Sequence, residues 1–330
     1  MRRPGLLGSL AYSVAQTARV GWFYGQYRVA QTLAPRLPAS RWPKPGSANP
    51  AIGRKLIGDL RALMRRDWRN IRDGVYAAPR DLVPRPRAAL RDALRFFADL
   101  PAVNLRRRER ANAEVFSSPH AGRYPRYYLQ NFHYQSDGYL SAESAALYDH
   151  QVEVLFLGGA DAMRRQALPA LRARLGDRPD ARVLDVACGT GRFLSAIQQN
   201  FPGWRLSGVD LSPPYLAAAA RALGAGATLV QANAEALPLP AGSADAVTCV
   251  YLFHELPRAV RARVVGEIAR VLAPGGIFVL VDSLQRGDVA LYDPLLDRFP
   301  GTFHEPYYAD YVAQDLTALL ADAGLRVDTI

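Results

Sequence analysis

The chain has 330 residues, of which 49% are hydrophobic and 22% are charged, a composition typical of a folded globular protein rather than a disordered one. The net charge of +11 is uneven, because residues 1–150 hold 25 basic and 11 acidic residues whereas residues 151–330 hold 16 and 19. With two cysteines and no apolar run of about 18 residues, we expect a cytoplasmic protein without a disulfide framework or a membrane-spanning helix. The basic half could face nucleic acid, an anionic membrane or an acidic ligand, and charge alone does not choose among them.

Residues 1–34 predict an apolar N-terminal helix. Five apolar residues recur there at nearly helical spacing: Leu7, Leu10, Val14, Ala18 and Trp22. Two interpretations stay open: the helix packs on the rest of the protein, or it lies at the inner face of a membrane with its aromatic residues at headgroup depth. Five prolines between residues 34 and 50 then predict an extended linker over 35–50.

Residues 51–140 begin as a basic, helical region. Leucines at positions 56, 60 and 63 form an apolar stripe with arginines on the other faces. The run LRRRERAN at 105–112 is typical of a solvated helix face, and base-stacking aromatic residues are sparse beside it, which disfavours nucleic acid as a partner. The pattern changes at 123–140, RYPRYYLQNFHYQSDGYL, where aromatic residues become frequent.

Residues 141–330 alternate between predicted strands and helices, which indicates an α/β protein with a mostly parallel sheet. Strands are expected at 182–187, 204–209, 227–231, 245–250, 276–282 and 325–330. Helices are expected at 142–157, 191–200, 214–223, 258–272 and 308–323. The predicted fold class is a Rossmann-like sheet with helices on both faces, preceded by a mostly helical N-terminal region. Ligands of such sheets bind outside the carboxyl ends of the strands.

The stretch VLDVACGTGRFL at 183–194 places a glycine loop directly after the first of these strands. A phosphate-binding loop would need a lysine, and the chain has none after residue 55; a dinucleotide fingerprint would need glycine where Leu194 stands. Asp185 would repel a pyrophosphate but suits a ligand tail with an ammonium or sulfonium group, so the ligand that fits is S-adenosylmethionine (SAM). Asp210, 19 residues past Gly191, is near the spacing at which a carboxylate accepts hydrogen bonds from both ribose hydroxyls.

The third strand ends in QANAEALPLP, where Asn233 and the amide of Ala234 could read the adenine edge. Together with VLDVACGTGRFL, GVDLS, YLFHELP and LAPGGIFVLVDS, this stretch resembles the successive motifs of class I SAM-dependent methyltransferases, particularly the UbiE-like group with its methyltransferase type 11 domain. The resemblance covers about residues 180–330 and implies a SAM-dependent methyltransferase domain over 141–330. It implies SAM as cofactor, bound by Asp185, Ala187, Gly189, Thr190, Gly191, Asp210, Leu211, Asn233, Ala234 and Val250.

Two departures from the family pattern carry expectations. The family usually has aspartate where this chain has Asn233, whose amide oxygen can still accept from the adenine amine, so we expect weaker cofactor binding rather than its loss. The family also closes its sheet with a β-hairpin, of which only the predicted strand at 325–330 is seen here; either another element fills that place or two strand edges are exposed. The tetrad SPPY at 212–215 is similar to a motif of amino-directed nucleic-acid methyltransferases but follows the second strand instead of the fourth, which argues against that chemistry.

Methyl transfer from a sulfonium is an in-line displacement, so a base is needed only where the acceptor must lose a proton. The candidate catalytic residues are His254, Glu255 and His133, and His254 could equally be a packing residue. The resemblance implies that the end of the 51–140 region, NFHYQSDGYLS, is a lid over SAM. Candidate substrate contacts are Tyr134, Asp137, Tyr139, Asp282 and His304, and we expect no bound metal.

The favoured function is therefore SAM-dependent methyl transfer to a small, hydrophobic or aromatic acceptor, quinone-like or lipid-like. The apolar N-terminal helix would add peripheral contact with the membrane where such acceptors reside. One alternative is a protein of this fold that binds SAM without turnover. A second is a nucleic-acid methyltransferase whose basic half holds phosphates, with binding that falls steeply with salt.

Overall fold

A computed structural model describes residues 6–34, 49–82, 85–117, 122–176 and 178–330. The N-terminal region is helical, as the sequence predicts, with α1 at Leu6–Leu33, α2 at Pro50–Arg72 and α3 at Pro86–Glu109. The linker predicted over 35–50 lies, except for its last two residues, outside the described residues.

Three helices precede the sheet: α4 at Ala142–Leu155, α5 at Ala160–Arg165 and α6 at Leu168–Leu175. The sheet and its connections then follow as β1 Arg182–Val186, α7 Arg192–Asn200, β2 Arg205–Asp210, α8 Pro213–Leu223, β3 Ala227–Gln231, β4 Ala244–Val250, α9 Arg258–Val271 and β5 Leu272–Val281. Three further helices end the described chain: α10 Asp293–Phe303, α11 Tyr308–Tyr311 and α12 Leu316–Asp322.

The five strands form one parallel sheet in the order β3-β2-β1-β4-β5. Apolar side chains cover both of its faces. Residues of α6, α7 and α8 pack on one face, and residues of α9, α10, α11 and α12 pack on the other. The chain direction across the sheet reverses between β1 and β4, so the connections diverge there and leave a crevice at the carboxyl ends of the strands. The predicted α/β, Rossmann-like fold class is confirmed.

Two predictions near the end of the chain are wrong. Residues 325–330 form no strand ladder, although their burial alternates in part as the sequence pattern suggested, because the alternation alone supplies no hydrogen-bonding partner. The single helix predicted over 308–323 is two helices, because Asp315 leaves the helical conformation and its side chain accepts a hydrogen bond from Ala318 N at the start of α12.

The N-terminal helix α1 packs against the rest of the protein. Tyr12 donates to the buried carboxylate of Asp67 in α2 at 2.5 Å, and the side chain of Arg19 lies 2.9 Å from Glu153 of α4. The Arg19 guanidinium also donates to the carbonyl oxygen of Gly158. These buried contacts support the packed interpretation of the helix, while Leu10, which is 64% exposed, shows that one side of it remains in solvent. Among the described residues, no helix combines the length and the hydropathy that crossing a bilayer would require.

Candidate active site

An open pocket, of about 1040 Å³ when the solvent at its mouth is included, lies at the carboxyl ends of β1, β2, β3 and β4. The strand ends and their loops form its floor, and α4, α5 and the segment 127–139 form its walls. The sequence-predicted residues that line it are Asp185, Ala187, Gly189, Thr190, Asp210, Leu211, Asn233, Ala234, Val250, Glu255 and Tyr139. The strand-end motifs thus converge on one cavity, although they are spread over 70 positions of the sequence, from 185 to 255.

Asp185 is the buried acid of the pocket floor, with 2% of its surface exposed. The hydroxyl of Thr248, on the neighbouring strand β4, donates to its Oδ1 at 2.6 Å. Burial raises the pKa of Asp185 to about 7; the Thr248 hydrogen bond opposes that rise and the charge of Asp210 adds to it. Because the carboxyl is close to its midpoint at neutral pH, a cationic ligand group beside it would favour the ionised form.

The loop after β1 brings backbone to the edge of the pocket. Ala187 and Gly189 have left-handed backbones, with φ of 58° and 54°. A Cβ atom at Gly189 would meet only Tyr215, at 3.9 Å, so this glycine leaves room for a ligand to approach the main chain. Gly191, in contrast, does not line the pocket: a Cβ there would come within 3.0 Å of Ala219 and Leu223, so its role is close packing of α7 on α8.

Asp210 ends β2 with both carboxylate oxygens held by backbone amides. Gly189 N donates to Oδ2 at 2.9 Å and Ser212 N donates to Oδ1 at 2.8 Å. Burial raises the pKa of Asp210, and the backbone hydrogen bonds work against that rise. A carboxylate oxygen can accept a second hydrogen bond, so the fixed carboxylate can still receive the two hydroxyls of a diol.

Asn233 lines the pocket after β3, but its amide is already engaged. Its Oδ1 accepts from Glu235 N at 2.9 Å and lies 3.3 Å from the hydroxyl of Tyr127, which donates to Glu235 at 2.6 Å. The sequence predicted an oxygen able to accept from an adenine amine. In the structure, an amine at this position would share the oxygen with two protein donors.

Glu255, which follows β4, is hydrogen-bonded to Tyr139 in the pocket lining. The Tyr139 hydroxyl donates to Glu255 Oε1 at 2.5 Å. Burial raises the pKa of Glu255 to about 8, the charge of Glu305 raises it further, and His254 opposes the rise. This pair places a carboxyl and a phenol hydroxyl in the pocket lining, beside aromatic rings.

His254, the predicted general base, does not line the pocket. Its Nδ1 lies 2.5 Å from Oδ1 of Asp282, and its ring packs edge-on against Tyr308 and Tyr311. Burial lowers the pKa of His254, but Asp282 and then the charges of Glu305 and Glu255 outweigh it and raise the pKa to about 10. Asp282, a predicted substrate contact, also accepts from Phe253 N at 2.8 Å and likewise lies outside the pocket lining.

Four further predicted site residues lie outside the pocket lining. The His133 ring faces Glu305, with Nε2 3.0 Å from Oε1, and Tyr134 packs beside His304. Both ring nitrogens of His304 are engaged, by Asn112 and Gln130, and Asp137 is exposed to solvent. Left-handed backbone explains why the segment turns these side chains away, since φ is 55° at His133, 56° at Tyr134 and 61° at Asp137.

Sequence reasoning missed several lining residues. Asp149 comes from α4, which was predicted only as helix, and Arg164 comes from α5; Asp149 accepts from Thr190 Oγ1 at 2.8 Å. Tyr215 belongs to the SPPY tetrad that was set aside, yet its ring lines the pocket and its hydroxyl lies 2.9 Å from Ser144 Oγ. The aromatic lining residues are Tyr127, Tyr128, Phe132, Tyr139, Tyr148, Phe193, Tyr215 and Tyr251. The density of aromatic residues at 124–139 was the available signal for half of these eight rings.

Comparison with known proteins identifies the family of this chain. A family model described as a methyltransferase domain matches residues 183–276. An uncharacterized methyltransferase of Synechocystis is 37% identical over 149 residues, which cover 45% of this chain and 68% of that protein. The chain belongs to the class I SAM-dependent methyltransferases. It is UbiE-like within that family.

Two further relatives carry names. Demethylmenaquinone methyltransferase of Thermus thermophilus is 35% identical over 144 residues, covering 43% of this chain and 63% of that protein. The ubiquinone/menaquinone biosynthesis C-methyltransferase UbiE of Methylobacterium nodulans is 36% identical over 160 residues, covering 47% of this chain and 62% of that protein. The chain therefore spans somewhat less than two thirds of the length of these two relatives.

The residues of the pocket fit SAM, the cofactor of this family. Asp149 Oδ1 is buried and has no hydrogen-bond partner among the described residues, and Asp185 offers a second carboxyl nearby in the same cavity. Carboxylates suit the ammonium and sulfonium groups of the ligand, Arg164 suits its carboxylate, and Asp210 suits its ribose hydroxyls. The open space above Gly189 completes the site.

Proposed function

We propose that this methyltransferase transfers a methyl group from SAM to a small, apolar or aromatic acceptor. The observation that carries the proposal is that aromatic rings share one cavity with the polar strand ends. Asp185, Asp210 and the loop after β1 form its polar floor. Eight tyrosine and phenylalanine rings line the same cavity, together with charged side chains such as Asp149 and Arg164. Aromatic walls hold planar or apolar ligands, and their few polar groups set orientation.

SAM would be held by the floor residues, with Asp210 at the ribose and Asp185 near the charged tail. When bound, SAM supplies an activated methyl group on a sulfonium, which leaves readily. The protein's own part is to orient the acceptor and exclude water, and positioning of this kind can contribute about 7–11 kcal/mol to lowering a barrier. Tyr139 and Glu255 would fix one polar atom of the acceptor, because they are hydrogen-bonded to each other on the pocket wall.

The acceptor we favour is quinone-like or otherwise lipid-like. Two relatives are named as methyltransferases of menaquinone or ubiquinone biosynthesis, which supports an aromatic, isoprenoid type of acceptor. The aromatic wall is consistent with a planar ring between tyrosine side chains. Fold relatives methylate many molecules, so the acceptor has to be tested directly.

The test uses SAM labelled on its methyl group, the purified protein and a bacterial lysate, followed by separation into organic and aqueous phases. We expect label in the organic phase, lost in Tyr139→Phe if Tyr139 orients the acceptor. Label confined to the aqueous phase would replace this proposal with a polar metabolite or nucleic acid as acceptor. SAM binding without label in either phase would leave a SAM-binding protein without turnover.

We further propose that the exposed side of α1 contacts a membrane surface. Its large exposed apolar and aromatic residues are Leu10, Val14, Trp22, Tyr24, Val29 and Leu33. At the 100° step of an α-helix these residues fall within an arc of about 180°, one side of the helix, and the basic helices α2 and α3 follow in the chain. Sedimentation with vesicles of anionic lipid should therefore be lost in the double variant Leu10→Ser, Val14→Ser. Equal sedimentation of the variant would contradict this contact.

A further inference from the structure

Three side chains from separate segments meet beside the pocket. His133 comes from the 3₁₀ turn at Phe132–Tyr134, Glu255 from the turn at Phe253–Glu255, and Glu305 follows α10. One ring nitrogen and one oxygen from each carboxylate all lie within 4.8 Å of one another. We call these three residues the His-Glu-Glu cluster.

Glu305 is the observation that calls for a ligand. Its side chain is fully buried, and neither carboxylate oxygen accepts a hydrogen bond from any residue that the structure describes. A buried carboxylate without donors loses its hydration and receives nothing in exchange, an arrangement that folded proteins avoid. The group therefore requires a proton or a cation.

His133 does not supply the missing hydrogen bond. Its Nε2 lies 3.0 Å from Glu305 Oε1, yet the pair does not meet the geometry of an N–H donor. Metal–ligand bonds of about 2.1 Å put neighbouring ligands about 3.0 Å apart around an octahedral ion and about 3.4 Å apart around a tetrahedral one, so this distance is compatible with two ligands of one ion. The left-handed backbone at His133, with φ of 55°, holds the ring in this orientation at a cost in strain, as is common at ligand sites.

The charges near the cluster also favour a divalent cation. Among the described residues, no arginine or lysine forms an ion pair with Glu255 or Glu305, and the basic group beside Glu305 is the His133 ring. His254 lies close by, but Asp282 pairs with its ring at 2.5 Å, so one imidazolium is set against the three carboxyls of Asp282, Glu255 and Glu305. When all three are ionised, two negative charges are left without compensation, and one M²⁺ ion would balance them.

We propose that His133, Glu255 and Glu305 bind one divalent transition-metal ion, of the Mn²⁺, Fe²⁺ or Zn²⁺ class. Two carboxylates and one imidazole form a donor set that suits these ions, whereas Mg²⁺ and Ca²⁺ prefer oxygen alone. Three protein ligands leave coordination positions open. Because Glu255 also lines the pocket, an open position would serve to bind an oxygen atom of the acceptor. That last role, unlike the ion site itself, rests on the proposed function.

The test uses Mn²⁺ as the probe, on full-length protein stripped with chelator, and reads free Mn²⁺ by room-temperature EPR in the absence of SAM and acceptor. We expect about one Mn²⁺ per chain with micromolar affinity, displaced by Zn²⁺, and a rise in thermal unfolding temperature on addition of the metal. Glu305→Gln should weaken binding at least about 10-fold, since it removes a charged ligand. His133→Gln, at a half-buried position, provides a second variant if the first does not fold.

The matched control is Glu153→Gln, which changes another buried glutamate, one that pairs with Arg19 and lies outside the cluster. It should bind Mn²⁺ as the wild type does. Absence of Mn²⁺ and Zn²⁺ binding to wild type, or equal binding to the Glu305 and His133 variants, would overturn the proposal; a proton shared by Glu255 and Glu305 would then explain the cluster. Methyl transfer is not read in this experiment, so failure of the metal site and failure of the proposed function stay distinguishable.

Discussion

The imidazole of His254 and the carboxylate of Asp282 form a buried pair, with Nδ1 2.5 Å from Oδ1. Asp282 is almost completely enclosed and also accepts from the backbone amides of Phe253 and Ser283. The pair joins the loop after β4 to the end of β5, behind the pocket wall. Its geometry is that of a structural ion pair, and neither His254 nor Asp282 lines the cavity in which methyl transfer is proposed.

His254→Gln should therefore act on stability and hardly on catalysis. Removing one partner of a buried ion pair costs about 3–5 kcal/mol, because the other charge is left without compensation. We expect the free energy of unfolding, measured in urea, to fall by that amount. The methyl-transfer rate of the folded variant should stay within about threefold of wild type, whereas loss of a general base would lower the rate about 100-fold or more. A large loss of rate at unchanged stability would restore the catalytic role predicted from the sequence.

Asp185 should make the stability of the ligand-free protein depend on pH. The pKa of Asp185 in the folded protein, about 7, lies above that of an exposed aspartate, so the folded protein binds the proton more tightly than the unfolded chain does. The contribution of Asp185 to the free energy of unfolding should be largest below pH 4. That contribution should be lost, by on the order of 4 kcal/mol, as the pH rises through 7.

Without ligand, the buried Asp185 side chain favours its protonated form. A cationic ligand beside it favours the ionised carboxylate instead. Between pH 6 and pH 8 we expect SAM affinity to rise on the order of 10-fold in wild type relative to Asp185→Asn, a ratio that removes the titration of SAM itself. Titration calorimetry at several pH values measures it. A ratio that does not change with pH would mean that Asp185 has no contact with the charged part of SAM.

Ala187 carries a backbone strain that glycine would relieve. Its φ of 58° is left-handed, which costs an L-residue roughly 1–2 kcal/mol. Ala187→Gly should raise the free energy of unfolding by about 1 kcal/mol and change SAM affinity little, because Ala187 contributes only one methyl group to the pocket lining. Ala246→Gly, in the extended backbone of β4, is the control and should lower stability. Destabilisation by both changes would show that the Ala187 methyl group is needed for packing.

The strand ends could be predicted from the sequence because each motif follows a buried apolar run directly. Asp185, Asp210 and Asn233 reach the pocket for that reason, since parallel strands place their carboxyl ends along one edge of the sheet. The lid could not be predicted residue by residue. Left-handed backbone at 133, 134 and 137 breaks any regular alternation, so that Tyr139 faces the pocket while His133 and Tyr134 do not.

Contacts between residues far apart in the chain could not be predicted from the sequence either. The ligands of the His-Glu-Glu cluster are separated by more than a hundred positions and then by fifty, and no spacing rule joins them. The sequence accordingly contained no indication of a metal site. In the same way, nothing in the sequence indicated that Asp282 would pair with His254, because the pairing depends on how β4 and β5 end relative to one another.

The most direct test of the central claim is the affinity of SAM for wild type and for Asp210→Ala, measured by titration calorimetry. Loss of two charge-assisted hydrogen bonds should weaken binding by on the order of 2–4 kcal/mol, about 30-fold or more. Asp245→Ala is the matched control, because Asp245 also accepts from a backbone amide but stands at the opposite end of the sheet, and its SAM affinity should equal that of wild type. Binding by wild type that Asp210→Ala abolishes or strongly weakens is the predicted result; no binding of SAM, or equal affinity in wild type and Asp210→Ala, would contradict the account.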